Sequence, residues 1–105
     1  MKTTLHKTDF SKVIGTSYYG HTLTSTVNKI SEAIGEPHSG ASGDGKVSVE
    51  WKFITDNGLA FTIYDWKEYD EPASENRDKK YDFHIGVKEG YQGDEVLAIL
   101  KEYGL

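Results

Sequence analysis

The sequence predicts a single α+β domain with its elements in the order α-β-β-β-α, a three-stranded antiparallel sheet covered by two helices. Three observations carry this reading. A run of apolar residues at helical spacing ends in Gly35 and Pro37, an Asn57-Gly58 pair sits between two alternating β-prone runs, and a second helical stripe lies near residue 100. At 105 residues the chain is long enough for one hydrophobic core and too short for two.

Taken in order, residues 1–21 show no sustained period and form an irregular lead-in, with Gly15 and Gly20 bracketing a turn. Leu23, Val27, Ile30, Ala33 and Ile34 then recur at helical spacing, which predicts a helix over 22–34 with Thr22 as N-cap. Residues 38–45, with Gly40, Gly43 and Gly45, read as a flexible connection between helix and sheet. In the strand over 46–55, Val47, Val49, Trp51 and Phe53 alternate with Ser48, Glu50 and Lys52. A two-residue Asn57-Gly58 loop then returns the chain as a strand over 59–67, pairing Ile54 with Phe61, Trp51 with Tyr64 and Val49 with Trp66. That register would gather Trp51, Tyr64 and Trp66 on one face, a grouping that reads first as core, with Trp66 the most exposed of the three. Residues 68–80 are charged and contain Pro72, the pattern of a long solvated loop. Tyr81, Phe83, Ile85 and Val87 alternate again and predict the third strand over 81–87, expected to pair antiparallel as a meander. Asp94 caps the last helix, over 94–103, whose stripe is Val96, Leu97, Ile99, Leu100 and Tyr103.

Composition narrows the chemistry. Cysteine is absent, so a thiolate nucleophile, a disulfide framework and a sulfur-based zinc site are excluded; a reducing cytoplasm fits best. The four histidines, His6, His21, His38 and His84, show none of the short spacings that build a metal site, and no metal or cofactor is expected. No stretch approaches the ~20 apolar residues that span a bilayer, so no membrane partner is expected. Seventeen acids against twelve bases give a formal charge of -5, with Arg77 the only arginine. That balance disfavours direct nucleic-acid binding and makes a basic protein the natural partner of the acidic part. No Gly-x-Ser-x-Gly elbow occurs, and although Gly40 to Lys46 has the Gly-x-x-x-x-Gly-Lys spacing, Val47 stands where a phosphate-binding loop needs Ser or Thr and a strand rather than a helix is expected to follow, which leaves ordinary hydrolase and NTPase readings without support.

Three candidate sites remain. The hairpin register sets Glu50 opposite Asp65, a carboxylate pair able to serve as general acid and base, although Lys52 and Lys67 share that face. The acidic loop, with Asp65, Trp66, Glu68, Tyr69, Asp70, Glu71, Glu75 and Asp78, offers a partner-binding surface whose spaced charges imitate a nucleic acid. Trp66, His84, Gly43 and Gly45 could instead hold a nucleotide by stacking, His84 otherwise being a structural histidine.

One pattern runs along most of the chain: Gly15-Thr16, Gly20, Gly35-Glu36-Pro37, Lys46, Glu50-Trp51, Ile63-Tyr64-Asp65-Trp66-Lys67 and His84-Ile85-Gly86. Over about residues 15–100 it resembles a group of small bacteriophage and prophage accessory proteins, mostly of unassigned function. The group's Trp-His-Ile-Gly-Gly is altered here, with Phe83 before His84 and Val87 after Gly86. The resemblance implies a non-catalytic role in the contest with a bacterial host. The leading expectation is inhibition of a nucleic-acid-binding defence complex such as a CRISPR effector; sequestration of a signalling nucleotide is the alternative.

Overall fold

The computed structural model describes residues 2–38 and 46–105, apart from the side chain of Phe10. Along the chain run β1 (Leu5–Lys7), α1 (Phe10–Val13), β2 (Ser17–Ser25), α2 (Val27–Ile34), β3 (Glu50–Thr55), β4 (Ala60–Tyr64), a 3-10 turn (Ala73–Glu75), β5 (Tyr81–Val87) and α3 (Gln92–Glu102). The α+β class stands. Among the described residues, however, the sheet has five strands rather than three, in the order β1-β3-β4-β5-β2, with every neighbouring pair antiparallel. The expected meander of β3, β4 and β5 is its centre.

Both added strands arise from the segment expected to be irregular. β2 also takes Thr22–Ser25 from the expected helix, because pairing with β5 sets Leu23 opposite Phe83 and Ser25 opposite Tyr81, facing the core, while Thr22 and Thr24 stay outside. Leu23 fits a period of two as well as one of 3.6, and the β-branched threonines on either side tip the balance. The helix therefore starts later, at Val27, and its N-cap is Thr26, whose hydroxyl accepts from Lys29 N at 3.0 Å. A further short helix, α1, is capped by Asp9, which accepts from Ser11 N at 3.0 Å. β3 and β4 are shorter than expected, β5 has the expected bounds, and α3 starts at Gln92, so Asp94 lies within its first turn instead of capping it.

The hairpin register is corrected by one residue. Thr55 N donates to Leu59 O at 3.0 Å and Gly58 N to Thr55 O at 3.0 Å, so Asp56, Asn57 and Gly58 form a three-residue loop with Gly58 at φ +88°. The pairs become Ile54 with Ala60, Phe53 with Phe61, Trp51 with Ile63 and Glu50 with Tyr64. Since side chains alternate between faces, this single step exchanges the faces of β4 relative to β3.

The main core lies on the inner face, where Trp51, Phe53, Phe61, Ile63, Phe83, Ile85 and Val87 pack with Val27 and Ile30 of α2 and with Val96 and Leu100 of α3. The indole N–H of Trp51 donates to Gly35 O at 2.8 Å, which ties the end of α2 to the sheet. Among the described residues, the opposite face carries α1, which packs across β3 and β4, and the turn that follows it. At the far end of β3 from Glu50, Thr3 N donates to Glu102 Oε1 at 2.6 Å and the Tyr103 hydroxyl donates to Thr3 O. The segments at either end of the chain are thereby clasped together beside the hairpin turn, where Thr3, Thr55, Asn57 and Glu102 border one shallow cleft.

Candidate functional site

The outer face is organised by two rows of paired residues. Glu50, Tyr64 and His84 stand opposite one another on β3, β4 and β5, and in the next row Lys52, Thr62 and Gly86 are followed by Tyr18 on β2. Gly86 shapes what stands between them. A methyl group there would collide with Thr62 Oγ1 and meet Tyr64 and Thr16, and Tyr18 stacks on His84 in the adjacent row, ring centroids 3.8 Å apart and planes 12° apart. Trp66 also stacks near His84, 5.9 Å away at 24°, and Tyr64 meets the His84 and Trp66 rings edge-on at 5.5 and 6.1 Å. Four rings from three parts of the chain thus share one surface, with Trp66 38% and Tyr18 42% exposed.

Beside this cluster is a cleft of about 340 Å³, at the small end of the range for ligand sites. Thr62 and Gly86 form its floor, Tyr64, Trp66 and Val47 one wall, Ile14, Gly15, Thr16 and Ser17 the other, and Glu50 borders it as well. Lys46 Nζ lies 5.7 Å and Lys67 Nζ 5.6 Å from the Trp66 ring centroid, so two ammonium groups sit over the exposed indole in cation–π contact. Glu50 Oε1 is held by Lys52 Nζ at 3.2 Å. Burial holds His84 below the usual histidine range, so at neutral pH it is an uncharged ring suited to stacking. Burial, followed by the nearby Glu50 and Tyr18, pushes the Tyr64 phenol up, which keeps it a neutral hydrogen-bonding group.

The sequence-predicted residues divide sharply. Trp66 and His84 come together as expected for a stacking site, while Gly43 and Gly45 lie outside the described residues. Trp51 is core, but Tyr64 and Trp66 are not its companions; the register step turns them to the outer face. The same step dismantles the proposed carboxylate pair. Asp65 is 2% exposed, and its carboxylate accepts from Ser48 N at 2.7 Å, Val49 N at 3.0 Å, Ala73 N at 3.3 Å and the Ser48 hydroxyl at 2.5 Å, whereas Glu50 borders the outer cleft. Asp65 is thus a structural clamp, removed from both the acid-base pair and the partner surface. Glu68, Tyr69, Asp70, Glu71, Glu75 and Asp78 are all exposed on the β4–β5 connection. Two of them also hold that connection in place: Glu71 pairs with Lys79, and Asp78 accepts from Asn28 Nδ2 at 2.5 Å.

Tyr18, Thr62 and Gly86, together with the α1–β2 turn, were not anticipated as site residues. Among the described residues no group of three or more His, Asp or Glu side chains is arranged to hold a metal, and no helix is long and apolar enough to cross a membrane. Comparison of the chain with protein-family models, with curated proteins and with solved structures found no match.

Proposed function

We propose that this chain is a non-catalytic binding domain that captures a nucleotide in the cleft beside Trp66, acting as a phage accessory protein that withholds a signalling nucleotide in the host cytoplasm. The observation that carries the reading is the exposed indole of Trp66 with two lysine ammonium groups over its ring, 5.6 and 5.7 Å from the centroid. A base stacks on an aromatic face whatever its identity; here it would take the place of the ammonium groups that lie over the indole, which remain close enough to attract its phosphate. Thr62 and Tyr64 supply hydrogen-bonding groups along the cleft, as expected of a small-ligand site with a few polar groups in a mostly apolar wall.

Calorimetric titration with mononucleotides tests it. The wild type is expected to bind in the micromolar range, and Trp66→Ala to weaken binding by about tenfold, in line with ~1–3 kcal/mol for one stacked base. A folded wild-type protein that binds no nucleotide at millimolar concentration would sink the proposal.

A second reading, inhibition of a nucleic-acid-binding defence complex such as a CRISPR effector, is favoured by a different observation. Glu68, Tyr69, Asp70, Glu71 and Glu75 are exposed along one connection, with Tyr69 at 59%. Spaced carboxylates around an exposed aromatic suit a basic groove on a partner protein.

A further inference from the structure

We infer that the cleft selects guanine over the other bases and that Glu50 is the residue that reads it. This rests on the nucleotide-binding reading above and adds the identity of the base. Glu50 opens β3 directly opposite Tyr64, so its carboxylate borders the same cleft as Trp66. Lys52 Nζ, 3.2 Å from Oε1, steadies that carboxylate from the adjacent position on the same face.

A carboxylate accepts hydrogen bonds and donates none, so it selects a base edge made of adjacent donors. Guanine alone among the common bases presents two, the N1–H and the 2-amino group, side by side on its Watson–Crick edge. Adenine and cytosine set a ring-nitrogen lone pair beside their single amino group, and uracil has one N–H between two carbonyls. For these three, at least one lone pair is turned against the carboxylate, an unpaired and repulsive contact in a partly enclosed site. The Thr62 hydroxyl on the cleft floor can donate as well as accept and so suits the 6-oxo group at the end of the same edge.

The other common group with two parallel donors is the arginine guanidinium. Charge decides between them. Lys67, whose ammonium lies over the Trp66 ring together with that of Lys46, repels a guanidinium there and attracts the phosphate of a guanine nucleotide.

The test is calorimetric titration of the wild type with GMP, IMP, AMP, CMP and N-acetyl-arginine amide, repeated with Glu50→Gln after thermal melting has confirmed that the variant is folded. GMP is expected to bind at least tenfold more tightly than AMP or CMP. IMP, which lacks only the 2-amino group, is expected to bind several-fold more weakly than GMP, a comparison that needs no variant. Glu50→Gln is expected to lose about tenfold for GMP and little for AMP, so that the preference collapses. Equal affinity for GMP and AMP, or a guanine preference that survives in Glu50→Gln, overturns the assignment while leaving nucleotide binding intact. Tighter binding of the arginine amide than of GMP, lost in Glu50→Gln, overturns it in favour of a peptide ligand. Absence of binding by every nucleotide removes the underlying reading as well.

Discussion

Lys67 shows how backbone and chemistry meet at a single residue. Its φ of 57° makes it the non-glycine residue with positive φ among those described, and its N–H donates to Lys46 O at 2.7 Å. The left-handed conformation costs an L-residue about 1–2 kcal/mol, more than the ~0.5–1 kcal/mol by which glycine's greater unfolded-state freedom would offset relief of that strain. Lys67→Gly is therefore expected to raise stability by roughly 0.5–1 kcal/mol and to weaken nucleotide binding several-fold, measured by thermal melting and by the titration described above. A variant that binds as tightly as the wild type would show that the Lys67 amine takes no part in the site. At this scale the sequence revealed half of the aromatic cluster. Trp66 was read as the most exposed of a group expected to be core and His84 as its candidate stacking partner, but Tyr18 was hidden in a segment whose glycines read as turns. The signal that could have found it is the β-prone run from Tyr18 to Thr26, interrupted by Gly20 at φ +105°, where the β2–β5 register shifts.

Among the elements, the β3–β4 hairpin decides what the molecule presents to solvent. Its existence was legible in Asn57-Gly58; its register was not, because Asp56-Asn57-Gly58 suits a three-residue loop as well as Asn57-Gly58 suits a two-residue one. With the shorter loop, Tyr64 and Trp66 would join Trp51 in the core; with the longer one, Ile63 and Asp65 turn inward and the two aromatic residues border the cleft. Burying Asp65 is tolerable only because three backbone amides and a hydroxyl converge on it, linking the approach to β3, the end of β4 and the 3-10 turn. Asp65→Ala would leave those donors without an acceptor and is expected to cost about 3 kcal/mol or more in urea denaturation. A change below about 1 kcal/mol would mean that water or a neighbouring group replaces the carboxylate with little loss.

For the molecule as a whole, the sequence made the α+β class and the central meander legible but not the sheet's full width. β2 pairs with β5 across some sixty residues, and β1 contributes only Leu5–Lys7, so neither strand leaves a strong local pattern. The acidic connection and the aromatic cleft share no lining residue among Asp70, Glu71 and Glu75, which lets the two readings of function be separated. Reversing those three charges to lysine is expected to leave nucleotide affinity within about twofold, since exposed charges outside the cleft are screened within about 10 Å at ordinary salt. The same variant would lose inhibition of a nucleic-acid-binding complex if the second reading held, as a competition assay with that complex would show. The clasp between Thr3 and the Glu102–Tyr103 turn also fixes how the molecule can be carried. β3 runs from Glu50, at the cleft, to Thr55, beside the clasp, a span of about 17 Å at ~3.3 Å per residue. Both ends of the described chain therefore emerge from one pole, so a tether or fused polypeptide attached at either end would present the aromatic cleft outward, like a cup held by its base.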